Sequence, residues 1–237
     1  MTDTPARAAR LIARAAPSGA LATTRVGKGG GAYVSKVGLT LDIDGTPLFL
    51  LSTLAAHTQD LLADPRAAVL VEAPVITQNP LEAARATLTG RMVRLSRDDD
   101  AHARARYLIH HPGAKRYAGF GDFALWFLAV DKVHYVGGFG VAKWAKGGDY
   151  LHLGPDLARA EADILATLGG AHKDHLSAVF TQATGRSARS WRALAIDADG
   201  LCLIGPKGAQ ARLDFASPAP DGRGWRQRFA RLAKRAM

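Results

Sequence analysis

Short strand-like segments joined by tight turns are grouped in the first 150 residues of the chain. Alternating or continuously apolar stretches bounded by turn residues are typical of strands. A glycine-rich turn at residues 27–31 and a turn at residues 43–45 predict tight connections between neighbouring strands. Few helical segments separate the strands, so the pattern favours an antiparallel barrel with accessory helices over a doubly wound parallel sheet. The predicted strands cover residues 19–26, 32–42, 47–52, 67–73 and 84–96, with two more in residues 123–139.

The character of the sequence changes near residue 150. Beyond it follow two helical patterns, two strand-like segments and a basic C-terminal helix, which together predict a small α+β domain. The length of 237 residues fits one large domain or two small ones. We therefore expect an α+β protein with a barrel domain over residues 1–150 and a small α+β domain over residues 151–237.

The composition is that of a globular protein with excess positive charge. Hydrophobic residues make up 48% of the chain and charged residues 22%, which argues against a disordered or fibrous chain. The 31 lysines and arginines against 21 acidic residues give a formal net charge of +10, and such a field attracts anions. The excess is concentrated in residues 221–237. A solvated basic helix is favoured there over a nucleic-acid surface, because few aromatic side chains are interleaved with the charges.

Signals for secretion or membrane insertion are missing from the pattern. The single cysteine, Cys202, excludes an intrachain disulfide framework and fits a reducing compartment. No apolar run approaches the roughly 18 residues of a membrane span. Residues 4–16 are rich in arginine, but Thr4 as N-cap and Pro5 at the first helical position predict a first helix. We expect a cytoplasmic protein without membrane partners.

The segment from residue 47 to residue 71 contains the clearest candidate site. A predicted strand ends at Ser52 and Thr53, a helix is predicted from Thr53 to about residue 63, and His57 and Thr58 belong to its first turns. Hydroxyl groups and backbone N–H groups at a helix N-terminus bind anions. Ordinary capping by Ser52 or Thr53, with His57 half-buried, explains the same residues without a ligand.

This segment resembles a known superfamily. Its order of strand, S-x-x-x-x-H-T-x-x-L-x-x-D-P and buried strand is similar to the flavin-type split barrel of pyridoxamine 5′-phosphate oxidase. Residues 106–144, with H-P, D-F and G-G-F-G-x-A, resemble the bacterial haem-utilisation (HugZ-like) branch of that superfamily. Residues 173–180 and 196–203 resemble the small α+β domain that follows its barrel. The resemblance implies an antiparallel split barrel, a homodimer and a flat anionic cofactor at the subunit interface.

The departures from the oxidase pattern bear on the cofactor. The oxidases place an arginine and a lysine on the strand before the hairpin, where this chain has apolar or hydroxyl side chains. Two polar phosphate contacts align with Ala55 and Ala56. Lys36 is one position from a place where its cation could hold the flavin phosphate, but strand alternation is expected to point its side chain to the opposite face. Haem is therefore favoured over flavin mononucleotide (FMN), which stays the alternative. The candidate cofactor contacts here are Ser52, Thr53, His57, Thr58 and Lys36.

Haem needs an axial ligand, and histidine is the usual one. Among the eight histidines of the chain, three are candidates: His134, His152 and His175. His134 belongs to a predicted strand just before a glycine run, and His175 to the start of a helix in the second domain. The position after G-F-G-x-A, close to where the branch places ligand histidines, is Lys143.

Three charged residues complete the set of candidates. Through the resemblance, Asp122 is placed to bond to a ligand histidine or a bound water and so strengthen the ligand. A turn-closing aspartate at a strand start explains Asp122 as well. Arg85 and Arg91, on the amphipathic strand 84–96, are candidates to pair with propionates or with a partner subunit, and a surface position explains both without a ligand.

The favoured function is haem binding by a homodimeric split-barrel redox protein that takes part in oxidative haem breakdown. The first alternative is an FMN-binding oxidoreductase of the oxidase type. The second is a non-catalytic dimer whose basic tail contacts an anionic partner. The sequence shows no activated nucleophile and no paired general acid and base, so it leaves open whether the chain is an enzyme.

Overall fold

The computed structural model describes residues 3–25, 30–74, 79–138, 140–152, 154–188 and 190–237. Residues 27–29 of the predicted glycine-rich turn, and Val26 and Phe139 at the ends of predicted strands, lie outside these ranges. The chain divides into two compact units, Met1–His152 and Leu153–Met237.

In the described part of the first unit, eight strands form one antiparallel sheet in the order β2-β1-β5-β6-β7-β4-β3, with β8 paired to β7. The sheet is curled and helices cover it, so the predicted antiparallel split barrel with accessory helices is confirmed. The strands are β1 (Ser18–Thr24), β2 (Ala32–Gly38), β3 (Thr40–Leu41), β4 (Pro47–Ser52), β5 (Arg66–Glu72), β6 (Arg85–Arg94), β7 (Phe123–Val136) and β8 (Ala142–Lys146). The helices are α1 (Pro5–Ala15), α2 (Ala56–Ala63), α3 (Ala101–His110) and α4 (Gly147–Tyr150).

The first helix forms as its sequence predicts. The Thr4 hydroxyl accepts a hydrogen bond from the Arg7 backbone N–H at 3.2 Å, and Pro5 occupies the first helical position, where no N–H is needed. Ile12 and the alanines on the same side of α1 are buried in the main core. The helix therefore covers one side of the barrel core.

Strand β7 differs from the prediction of two strands in residues 123–139. It is one strand of 14 residues, which continues through a bulge at Asp131, where its register with β6 shifts. Its first half pairs with β4, its second half pairs with β8, and β6 runs along both halves. The register shifts opposite Gly90, where a Cβ atom would lie 2.0 Å from the Ala129 carbonyl oxygen. A glycine is thus required at this bulge.

The second unit, in its described part, contains three helices and a three-stranded antiparallel sheet in the order β11-β10-β9. The expectation of two strands was wrong, because the segment 192–205 turns back on itself before Gly200, whose φ of +158° suits glycine. The helices are α5 (Pro155–Gly169), α6 (Lys173–Thr184) and α7 (Gly222–Ala236). The strands are β9 (Arg192–Asp197), β10 (Gly200–Ile204) and β11 (Gln210–Asp214).

Candidate functional site

Ser52 and Asp122 join the end of β4 to the start of β7. The Ser52 hydroxyl donates to Asp122 Oδ2 at 2.5 Å and accepts from the Leu54 backbone N–H at 3.1 Å. The Thr53 backbone N–H donates to the Asp122 carbonyl oxygen at 2.8 Å. The structure therefore brings together three of the predicted site residues, and it gives Asp122 a serine as its partner where the resemblance suggested a histidine.

Helix α2 begins three residues later than the sequence predicts. Its N-cap is Ala55, which makes no side-chain capping bond. The expectation that Ser52 or Thr53 caps this helix was therefore wrong. The reason is that the Ser52 hydroxyl bonds to the turn at Leu54 and to Asp122, so the chain makes one more turn before the helix starts.

His57 and Thr58, in the first turn of α2, hold two buried polar atoms. His57 Nδ1 lies 3.1 Å from the Ser35 hydroxyl oxygen, whereas His57 Nε2 is buried and has no hydrogen-bond partner among the described residues. Thr58 is 0% exposed, and its hydroxyl has no partner in the same part of the chain. Burial lowers the pKa of His57, and the charge of Asp60 opposes this only in part. Buried polar atoms of this kind are unusual and mark a place where a further contact is expected.

Asp60 is a charged residue of this helix that the sequence did not single out. It is 3% exposed, accepts from the Thr23 hydroxyl at 3.1 Å and lies 3.3 Å from Arg25 Nε. The Arg25 guanidinium in turn lies over the Tyr33 ring, 5.3 Å from its centre. An acidic residue in a short helix is typical of a solvated position, so only the structure shows that Asp60 anchors α2 to β1.

The register of the sheet forms one straight row of side chains across six strands. Residues directly opposite in antiparallel strands point to the same face of a sheet. The row defines what we call the outer face, together with neighbours that lie two or four positions along the same strands. In order, the row is Lys36, Ala20, Leu70, Thr87, His134 and Trp144. The neighbours that share the face are Val34, Ala22, Arg66, Ala68, Glu72, Arg85, Thr89, Arg91, Lys132, Val136 and Lys146.

The opposite side of the same strands is the buried inner face. Leu21, Val69, Leu88 and Val133 alternate with the row and are fully buried in the main core. The Ser35 side chain belongs to this inner side, where His57 meets it, whereas Lys36 is exposed on the outer face. The structure thus separates Lys36 from His57 and groups it with Arg85 and His134.

The outer face combines an imidazole, an exposed indole and several cations. The His134 ring stacks on Trp144 with ring centres 4.6 Å apart and 25° between the planes. Trp144 is 62% exposed. Lys132 and Lys146 lie opposite each other beside this pair. Small side chains in the middle of the face leave a shallow surface that a flat anion can approach.

A cavity of about 1040 Å³, slightly above the usual range for ligand sites, lies at the end of the outer face that Arg66 and Arg91 occupy. Its lining includes Ala22, Ala68 and Thr89 and the side chains of Arg66 and Arg91. The two arginines are directly opposite in register, and like charges in such a pair repel each other. Asp64 pairs with Arg66 at 2.6 Å, and a bound anion would offset the second charge. The lining includes none of the four residues Ser52, Thr53, His57 and Thr58, and it includes neither His134 nor Trp144.

The other candidate site residues either lie away from the outer face or already make hydrogen bonds to other groups of the protein. The Arg85 guanidinium, at the end of the face, donates to the carbonyl oxygens of Leu81 and Ala83. His152 is half-buried, and its backbone N–H donates to Asp44. His175 belongs to the second unit, where its Nδ1 lies 3.2 Å from Nδ1 of His172. Of the three candidate haem ligands, the outer face contains His134.

The described residues contain no metal-binding cluster and no membrane-spanning helix. No group of three or more histidine, cysteine, aspartate or glutamate side chains is placed to hold a metal ion in that part of the chain. The described helices also include none with the length and apolar character needed to span a membrane.

The fold and the outer face define an antiparallel split-barrel protein of the pyridoxamine 5′-phosphate oxidase-like superfamily, as the sequence predicts. Residues 2–152 match the family described as "CREG, beta-barrel", and the chain belongs to this family.

Three relatives are informative. The chain is 31% identical, over 172 residues, to "Non-canonical heme oxygenase HOZ, chloroplastic" of Arabidopsis thaliana. This match covers 70% of the chain and 52% of that relative, so the chain spans about half of the relative's length. The solved structure of a heme binding protein from Mycobacterium smegmatis is 30% identical, with a TM-score of 0.60 over 100% of this chain and 98% of that one. The protein Atu2129 of unknown function, from Agrobacterium tumefaciens, is 25% identical, with a TM-score of 0.77 over 95% of this chain and 94% of that one.

Proposed function

We propose that this protein binds haem on its outer face and takes part in oxidative haem breakdown. The observation that supports this most directly is the row from Lys36 to Trp144, which places one imidazole beside an exposed indole on a cationic face. A haem-binding relative matches over the full length, and a haem oxygenase relative matches over most of the chain. Both relationships favour the same class of cofactor.

The residues of the outer face fit the chemistry of haem. The imidazole of His134 is the usual type of axial ligand. Trp144 offers an exposed aromatic surface for a flat ring, and arginine and lysine side chains pair well with the carboxylates of the two propionates. When bound, haem supplies an iron centre capable of oxygen chemistry, and the protein supplies orientation and charge.

We further propose that a second copy of the chain covers the outer face. The cavity on this face is open, and a cofactor held by one sheet alone keeps much of its apolar surface in water. A homodimer would bury the ring between two sheets. The dimer and the haem site are therefore parts of one proposal.

An FMN-binding oxidoreductase is the second candidate. The observation that favours it is a pair of buried atoms in the first turn of α2, His57 Nε2 and the Thr58 hydroxyl, which find no hydrogen-bond partner in the described part of the chain. The N–H groups of such a turn attract phosphate. The methyl side chains of Ala55 and Ala56 offer no polar contact to a phosphate, where the oxidases have two polar side chains. The lack of these two phosphate contacts is the reason that haem is favoured over FMN.

The test is a titration of the full chain with hemin, and separately with FMN, followed by absorbance. We expect a shifted Soret band that saturates at one haem per subunit, and no change in the flavin spectrum. His134→Ala should weaken hemin binding at least tenfold, whereas His102→Ala, an exposed histidine of α3, should not. Incubation with a reductant and oxygen should then bleach the Soret band.

Three outcomes would contradict the proposal. An unchanged hemin spectrum would remove haem binding. Equal hemin affinity in the wild type and in His134→Ala would remove the outer face as its site. Stable haem in the presence of reductant and oxygen would remove the breakdown step and favour a non-catalytic haem-binding dimer.

A further inference from the structure

The second unit contains a cavity of its own among α5, α6 and α7. Its volume is about 360 Å³, within the range of small-molecule sites and towards its lower end. The part of the lining that α5 and α7 supply is mostly apolar, and the start of α6 adds two histidines. The apolar lining includes Ile164 and Leu168 of α5 and Trp225, Phe229 and Ala233 of α7.

The room for this cavity comes from two alanines of α7. Trp225, Phe229 and Ala233 follow one another at four-residue spacing, so they share one side of the helix. Trp225 and Phe229 stack with ring centres 5.6 Å apart, whereas Ala230 and Ala233 leave the next turn open. A larger apolar residue at either alanine would fill the space.

The floor of the cavity is apolar and its polar groups are satisfied. Trp225 is 1% exposed, and its indole N–H donates to the Gly200 carbonyl oxygen at 3.1 Å. Ile164 and Leu168 of α5 are also buried. The apolar part of a ligand in contact with this floor leaves water without displacing a hydrogen bond of the Trp225 indole.

The rim of the cavity is basic. His172 and His175 are within 3.2 Å of each other through their Nδ1 atoms, and the exposed Lys234 lies on the same lining. Arg226, also on the lining, is already paired with Asp163. No acidic residue belongs to the described lining. A group that enters over this rim is favoured if it is negatively charged.

We propose that this cavity binds a small amphipathic carboxylate, with its apolar body on the floor and its carboxylate at the rim. The ligand class follows from the combination of an apolar floor, a basic rim and a volume of about 360 Å³. The site is independent of the haem site proposed for the first unit, because every residue of its lining belongs to the second unit.

The test is a titration of the full chain with octanoate, followed by tryptophan fluorescence and by displacement of 1-anilinonaphthalene-8-sulfonate. We expect saturable binding that displaces the dye. Octanol, of the same chain length but uncharged, should bind at least tenfold more weakly, and Lys234→Gln should reduce this preference. Ala230→Leu should weaken octanoate binding at least tenfold by filling the cavity. Gln227→Leu, an exposed position of α7 outside the lining, is the matched control.

Absence of saturable octanoate binding at millimolar concentration would overturn the proposal. Equal affinity for octanol and octanoate would overturn the claim that the basic rim binds the carboxylate. If Ala230→Leu bound octanoate as tightly as the wild type and had the same helix content by circular dichroism, the binding site would not be this cavity. Hemin binding by Ala230→Leu should be unchanged, so failure here is distinguishable from failure of the haem proposal.

Discussion

At the scale of single residues, the Ser52 hydroxyl connects two strands and a turn through one oxygen atom. It donates to the Asp122 carboxylate at 2.5 Å and accepts from the Leu54 N–H. Hydrogen bonds to charged groups contribute about 1.5–3 kcal/mol in proteins. The Ser52–Asp122 pair therefore links the end of β4 to the start of β7, just before the turn that leads to α2.

Replacing Ser52 with alanine should lower the free energy of unfolding by about 1–3 kcal/mol, because the half-buried Asp122 loses its donor. Urea unfolding followed by fluorescence measures this loss. Asp122→Asn keeps an acceptor for the hydroxyl, so it should cost less than Ser52→Ala. An unchanged unfolding free energy in Ser52→Ala would show that the bond contributes nothing to stability.

His57 gives the fold a dependence on pH. Burial lowers the pKa of His57 below its unfolded value of about 6.5, and burial acts on His111 in the same direction. The unfolded chain therefore binds more protons once the pH falls below about 6.5, and stability decreases there. Above that value the contribution of these neutral histidines is fully present.

We expect the free energy of unfolding to fall between pH 7.5 and pH 5.5, and to fall less in His57→Asn. Urea unfolding at both pH values gives the comparison. His102→Asn is the control, because His102 is exposed and lies 3.0 Å from Asp42. If His57→Asn lost as much stability as the wild type between these pH values, His57 would not be the titrating group.

At the scale of secondary structure elements, most strands and helices could be predicted because their signals are local. The Thr4 cap, the turn at residues 43–45 and the alternation of β1 each depend on neighbouring residues. The start of α2 could not be predicted, because it depends on a bond from Ser52 to Asp122, 70 positions away. The length of β7 was missed for a similar reason, since its bulge forms against Gly90 of another strand.

Gly90→Ala should destabilise the first unit by several kcal/mol, because its Cβ atom would meet the Ala129 carbonyl group at the bulge. The expected result is a much lower midpoint of thermal unfolding or loss of soluble protein. Gly113→Ala is the matched control, because a Cβ atom there meets nothing within 4 Å. Equal midpoints for the two variants would show that β6 and β7 can separate at this point without cost.

At the scale of the whole molecule, the outer face could not be predicted as a site. Lys36, Arg85 and His134 were each singled out from the sequence, but on separate grounds. Their common face follows from the register of five strand pairs, which no local pattern records. Strand alternation alone predicts that Lys36 points to the opposite face, and the pleat of β2 does place Lys36 on the face opposite to the one that His57 contacts.

The proposed dimer predicts the effect of a charge at the centre of the outer face. Ala68→Arg should convert a dimer into a monomer, because a long cation would occupy the surface that the second copy covers. Sedimentation equilibrium at micromolar concentration measures the change. Ala101→Arg, at an exposed position of α3, is the control and should stay dimeric. A wild type that sediments as a monomer would refute the dimer.

Strand β7 has neighbours along both edges for half of its length: β6 on one side, and β4 and then β8 on the other. Its backbone amides are therefore shielded from deuterium until several ladders separate together. Fragments of β7 should take up the label at the slowest rate in the barrel. Deuterium uptake by a peptide from β7 therefore measures how often the entire first unit opens.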